Sequence, residues 1–93
     1  MGTVVFGDFE WDAAKAVANE QKHGVSFEEA ATVFDDPRAL DAPDLQDPDR
    51  IVLIGCSALS RVLFVVAAER RDRIRILSAR KASAAQRKLY EET

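Results

Sequence analysis

A chain of 93 residues has room for one domain with a modest core, and 47% apolar with 31% charged residues is a globular composition, not a disordered one. The longest apolar run, Val62 to Ala68, is far too short for a membrane span. No basic-then-apolar signal pattern opens the chain, so the expectation is a cytoplasmic protein with no membrane contact.

The net charge of −3 hides an asymmetry: residues 1–50 carry twelve acids and four bases, residues 51–93 four acids and nine bases. Six of the thirteen Lys and Arg residues fall within Arg73–Tyr90. Such a distribution either presents a polyanion-facing surface on the second half or pairs the two halves across the fold. The single Cys56 cannot form an internal disulfide, and in the apolar run Ile51–Cys56 it is expected as a small core residue.

In chain order, Val4 to Glu10 alternates loosely and predicts a first strand ending near Trp11, itself a core residue. Asp12 is suited to cap a helix over Ala13–His23, and Gly24 to end it in the left-handed conformation. On that helix Lys15, Asn19, Lys22 and His23 share an arc of about 100°, opposite Val17. Ser26 and Glu29 have capping-box spacing, with the Ser side chain accepting from first-turn amides and Glu29 reaching back. Phe27, Ala30, Ala31 and Phe34 then form an apolar stripe, so the second helix reads as a core element without chemistry, ended by Asp36-Pro37.

Arg38–Asp49 reads as a solvated acidic loop with a possible short edge strand near Ala39–Ala42, and it lacks the spacing of a calcium loop. Three strands, Ile51–Ser57, Val62–Glu69 and Arg73–Ala79, follow with short turns and predict an antiparallel meander. Ser83 and Gln86 make a second capping box for a terminal helix to about Glu92. Its buried side is expected to be Ala82, Ala85 and Leu89, with Ser83, Arg87 and Tyr90 on another face. The order β-α-α-β-β-β-α predicts a single α+β domain over residues 1–93, a small antiparallel sheet with two N-terminal helices and a C-terminal one.

One His and one Cys exclude a structural zinc site, the scattered glycines exclude a phosphate loop, and no serine stands in a nucleophile elbow. Cationic and acid–base chemistry remains, with no metal and no cofactor expected. Arg73 and Arg75 alternate with Ile74 and Ile76 and so face away from them. Glu69, across a tight turn, is either a general base beside these arginines or their neutralising partner. Lys22 and His23 either complement the negative end of the first helix or point into a shared cleft, the Lys on a phosphate and the His titrating near neutrality. Arg80, Lys81, Arg87 and Lys88 are either a solvated face or, with Tyr90 as a stacking group, a contact for single-stranded RNA.

Residues 9–37, FEWDAAKAVANEQKHGVSFEEAATVFDDP, and 73–92, RIRILSARKASAAQRKLYEE, resemble the BrnT toxins of bacterial type II toxin–antitoxin systems. The resemblance spans nearly the whole chain and rests on two blocks, W-D-x-x-K…N-x-x-K-H-G-V-x-F-x-E-A and R-I-x-S-A-R-K-A. It implies a RelE-like fold and a metal-independent endoribonuclease that inhibits translation. It also implies a BrnA-like ribbon-helix-helix antitoxin as partner, with operator DNA contacted only through that antitoxin. Matched position by position, it implies catalytic roles for Glu69, Arg75, His23, Lys22 and Arg80; the charge and helical-face reading adds Arg73, Lys81, Arg87 and Tyr90 as the expected RNA contacts. The family often has Glu where this chain has Gln86. In the expected mechanism the RNA 2′-hydroxyl is the nucleophile, Arg75 and Arg80 bind the phosphate, and Glu69 or His23 is the base. The alternative is a non-catalytic binding module that acts as co-repressor with a DNA-binding partner.

Overall fold

The chain opens as a hairpin and not as the single strand expected over Val4–Glu10. In the computed structural model, which describes residues 2–44 and 46–92, β1 (Thr3–Phe6) pairs antiparallel with β2 (Phe9–Asp12). Leu45, in the expected acidic loop, and the two terminal residues of the expected domain lie outside the described residues. Phe6 stands opposite Phe9, so Gly7 and Asp8 alone make the turn, and Gly7 takes the positive φ of 60° that so tight a hairpin requires.

Helix α1 (Ala13–His23) starts and stops where its caps predict: the Asp12 carboxylate accepts from the Lys15 amide at 2.9 Å, and Gly24 sits at φ 69°. After α1 come α2 (Phe27–Thr32), a 3₁₀ turn (Val33–Asp35), β3 (Leu40–Pro43), β4 (Arg50–Cys56), β5 (Val62–Arg70), β6 (Arg73–Lys81) and α3 (Ala84–Glu91). Among the described residues the sheet has six strands in the order β1-β2-β6-β5-β4-β3. It is mixed, because β2 runs parallel to β6, where a purely antiparallel sheet was expected. The meander β4–β5–β6 is antiparallel as predicted, and the edge strand β3 falls close to its expected place.

The inward face of α1 is not the one its composition suggests. Asn19 is buried and Val17 is 49% exposed. The cause lies in the short reach of β2, which pairs with β6 only at Ile74 and Arg75. Further along, the outer edge of β6 would leave backbone polar groups without a strand. Asn19 supplies the missing pairing: its Nδ2 donates to the carbonyls of Ala79 (2.8 Å) and Val25 (3.0 Å), and its Oδ1 accepts from the Ala79 amide (3.2 Å). A carboxamide carries both a donor and an acceptor, so it can stand in for a neighbouring peptide.

The core lies between one sheet face and the helices, with Trp11, Val25, Phe27, Ala30, Val33, Leu63, Val65 and Ile76 nearly or wholly removed from water. Trp11 meets Phe27 edge-on, with ring centroids 5.9 Å apart. Cys56 is only half-buried, unlike its expected core role, because strand parity turns its neighbour Gly55 inward. A Cβ on Gly55 would come within 2.9 Å of both Ala39 Cβ and Val33 Cγ1, so the strand passes there only without a side chain. The Ser83–Gln86 capping box of α3 is complete, but no residue of α3 is buried, and Leu89 is 56% exposed where an inward position was expected. Polar contacts hold this helix. Tyr90 donates to Asp36 Oδ2 at 2.6 Å, and the same oxygen accepts from the Cys56 amide at 2.8 Å.

Candidate active site

The second face of the sheet is the candidate site. Strand parity puts Arg50 and Val52 of β4, and Phe64, Val66, Ala68 and Arg70 of β5, on this side. Leu77 interrupts the alternation of β6: Ala67 pairs with Ile76 but Val66 with Ser78, so Leu77 is an extra, bulged residue. As a result Arg75 and Arg80, five positions apart, both stand on the face of Ala68 and Phe64. Apart from Arg80, these side chains line a cleft of about 660 Å³ with Lys15 from α1 and Asp44 and Asp47 from the loop before β4. Its floor is apolar (Val52, Phe64, Val66, Leu77) and its rim is largely cationic (Lys15, Arg50, Arg70, Arg75). Several loop aspartates have local duties: Asp44 Oδ1 accepts from the Gln46 and Asp47 amides, and Asp47 pairs with Arg50 at 3.4 Å.

Two arrangements fix the arginines. Arg75 Nη1 donates to Glu10 Oε2 at 2.6 Å, in an ion pair whose side chains are 25% and 18% exposed, with Glu10 opposite Arg75 across the parallel β2–β6 pairing. The Arg80 guanidinium lies over the Phe64 ring, 4.3 Å from the centroid, while its Nη1 donates to the Lys81 carbonyl and Gln86 Oε1, each at 3.2 Å. Gln86 Oε1 also accepts from the Ser83 amide, so the residue that caps α3 steadies Arg80 as well.

The expected site residues divide. Arg75 and Arg80 come together on the open face, and Arg73 shares their parity but is exposed at the hairpin. Glu69 does not join them; it lies opposite Ile74, on the other parity, exposed at the end of β5. Lys22 is exposed and His23 half-buried at the C-terminus of α1, one turn beyond Asn19 and so towards the Lys81 end of β6. Lys81 and Arg87 line a separate cleft of about 390 Å³ with Arg61 and Glu91. Tyr90 is half-buried, its hydroxyl committed to Asp36, which pushes its pKa up to about 12. Burial alone would raise Asp36, but the hydrogen bonds from Tyr90 and from the Cys56 and Arg38 amides outweigh it and hold its pKa below the usual carboxylate value.

Sequence reasoning missed four residues that matter. Lys15 was legible as the Lys of W-D-x-x-K. Glu10, a charge between Phe9 and Trp11, could have been found by parity. Phe64 was hidden, because a strand apolar throughout gives no sign of which face is open. Glu29 was read as a capping residue, but only Ser26 caps, accepting from the Glu29 amide at 3.0 Å. The Glu29 carboxylate is instead buried against Arg61 and Ser57, with Arg61 Nε at 2.9 Å, Ser57 Oγ at 2.7 Å and Arg61 Nη2 also donating. Hydrogen bonds from Arg61 hold its pKa below the ordinary carboxylate value against the opposing effect of burial. This pair ties α2 to the β4–β5 turn, and Arg61 reaches on to the Gly24 carbonyl at 3.0 Å.

The family model of the BrnT ribonuclease toxins of type II toxin–antitoxin systems matches residues 11–86. The chain belongs to this family. The crystal structure of the Brucella abortus ribonuclease toxin BrnT is similar, with a TM-score of 0.64 and 25% identity over 78% of this chain and 92% of that one. None of the curated proteins matches. The matched span includes Lys15, Phe64, Arg75 and Arg80 and stops one residue short of Glu10, so the partner of Arg75 lies just beyond the family pattern. The chain is thus a small member of the ribonuclease toxin family of type II toxin–antitoxin systems, and no helix among its described residues is long and apolar enough to cross a membrane.

Proposed function

We propose that this BrnT-family protein cleaves RNA internally without a metal ion, at the Arg75–Glu10 pair on the open sheet face, and so inhibits translation. The observation that carries the reading is that pair: a cation able to hold a phosphate and a carboxylate able to take a proton, 2.6 Å apart, with Arg75 lining a cleft of largely cationic rim. RNA brings its own nucleophile in the 2′-hydroxyl. Glu10 takes the hydroxyl proton, the 2′-oxygen attacks phosphorus, and the bond to the 5′-oxygen breaks. Arg75 stabilises the added negative charge, with Arg80 as the second cation along the strand. Lys15 protonates the leaving oxygen, and the products are a 2′,3′-cyclic phosphate and a 5′-hydroxyl. Glu10 takes the role first given to Glu69, which faces the other way. His23 and Lys22, with Lys81 and Arg87, serve the outgoing strand. A ribbon-helix-helix antitoxin neutralises the toxin and carries the operator contact.

The test is cleavage of a defined RNA by the purified chain in excess EDTA. Activity should persist, and Arg75→Ala and Glu10→Gln should each lower the rate by roughly 10²–10³-fold, while Glu69→Gln changes it little. Activity that disappears on chelation, or that depends on Glu69 and not Glu10, would overturn the assignment.

A further inference from the structure

Phe64 is the one large aromatic on the open face of β5, and it stands at one end of an apolar floor that continues through Val52, Val66 and Leu77. Burial does not explain it: the opposite parity of the same strand, Leu63, Val65 and Ala67, already fills the core at 0% exposure. Nor does a site built only for phosphate need it, since an anion gains nothing from an apolar floor. A nucleobase does. Bases of single-stranded RNA lie on aromatic rings and on guanidinium planes, with cations following the backbone. The open face presents both kinds of surface, an Arg80 guanidinium set over the Phe64 ring at one end of the cleft and Lys15, Arg50, Arg70 and Arg75 along the rest of its lining. A protein ligand would suit the apolar floor, but the cationic rim in a chain of net charge −3 favours a polyanion.

We infer that the Phe64–Arg80 stack is a nucleobase subsite, which holds the base of a neighbouring nucleotide while Arg75 holds the phosphate to be cleaved. Arg80 and Arg75 stand opposite Phe64 and Ala68, four residues apart on β5. At about 3.3 Å per residue that is roughly 13 Å, too far for both to serve one nucleotide. Gln86 and the Lys81 carbonyl hold the guanidinium from one side, so the stack is organised before RNA arrives. This inference rests on the RNA-cleavage reading and deepens it.

The experiment uses the full chain and fluorescent single-stranded RNA blocked against cleavage by 2′-O-methyl groups, either intact or with one abasic ribose at each position in turn. For the native chain, one abasic position should weaken binding by roughly 5- to 100-fold, as expected for loss of a base–aromatic stack. Phe64→Leu, which keeps the floor apolar, should abolish that position's effect and leave the salt dependence unchanged. Arg75→Ala should do the reverse, with the abasic effect kept and the salt slope reduced by about one. Arg80→Lys, which keeps the charge but loses the plane, is the second probe of the stack. An abasic effect that survives in both Phe64→Leu and Arg80→Lys overturns the inference. So does RNA binding by the native chain with no abasic-sensitive position, which would leave the floor as a surface for protein. If the native chain neither binds nor cleaves RNA, the cleavage reading itself falls.

Discussion

Arg61→Met leaves the Glu29 carboxylate, whose side chain is 4% exposed, without its guanidinium. Of its hydrogen-bond donors only the Ser57 hydroxyl at 2.7 Å would remain, and the Gly24 carbonyl would lose Arg61 as well. Removing one partner of a buried ion pair typically costs about 3–5 kcal/mol, because the other charge stays buried and uncompensated. Arg61 itself is 31% exposed, so water offsets part of the loss and the low end, about 3 kcal/mol, is expected. That is a large share of the roughly 5–14 kcal/mol typical of a domain this size, and at roughly 4–8 °C per kcal/mol it lowers Tm by roughly 12–24 °C. The pH dependence has a definite sign. Glu29 has a lowered pKa in the folded protein, so the stabilisation is present above the ordinary carboxylate value and is lost as pH falls through the lowered one. The gap between the native chain and Arg61→Met should therefore narrow in acid, where a protonated Glu29 is no longer an unpaired charge. Urea unfolding at pH 7 and in acid reads both effects, and Glu29→Leu combined with Arg61→Met should recover most of the loss. A difference under about 1 kcal/mol at pH 7, or a gap that stays constant with pH, would refute the reasoning.

Asn19→Ala removes three hydrogen bonds and leaves both backbone groups of Ala79 unpaired at the β6 edge, so a loss of about 2–3 kcal/mol in urea unfolding and faster amide exchange at Ala79 are expected. Unchanged exchange at that amide would show that water or another group replaces the carboxamide. Gly55→Ala should cost about 1–3 kcal/mol, since the new methyl meets Ala39 Cβ and Val33 Cγ1 at 2.9 Å; a thermal midpoint equal to the native one would count against that packing. Tyr90 is the only tyrosine, so an absorbance titration reports it directly: its midpoint should lie near 12, and its contribution to stability, present below the ordinary value, should be lost as pH rises towards 12. A titration at the ordinary phenol value would mean that the bond to Asp36 is not made.

Local signals carried the sequence reading, and its errors arose where a distant partner overrode them. The caps Asp12, Gly24, Ser26 and Ser83 were legible because a helix terminus satisfies its backbone with residues close in sequence. The parallel β2–β6 pairing was not, because nothing in F-E-W-D announces a partner more than sixty residues away. Asn19 read as one of a polar arc opposite Val17 and its inward position was not legible, because amphipathic reasoning assumes an apolar neighbour and here the neighbour is the polar edge of a strand. Glu29 satisfied a local motif by spacing and was taken by Arg61 instead. In the candidate site, Arg75 and Arg80 were found from charge and motif, whereas their partners Glu10, Phe64 and Gln86 come from three other elements. Glu69 was placed beside the arginines on sequence proximity, and strand pairing turned it away.

Leu77 works on β6 as a frameshift works on a message. Upstream of it Arg75 faces the cleft; downstream, a plain strand would turn Arg80 into the helical side and send Lys81 to the cleft in its place. The bulge changes no charge, yet it decides which of two adjacent cations stands on the face of Phe64. Straightening the bulge with Leu77 kept would thus exchange a planar guanidinium for an ammonium on the cleft face, whereas deleting Leu77 would restore plain alternation and leave Arg80 opposite Phe64. The spacing of five in R-I-L-S-A-R therefore needs the bulge: plain alternation would send two arginines five residues apart to opposite faces, and only the extra residue returns them to one.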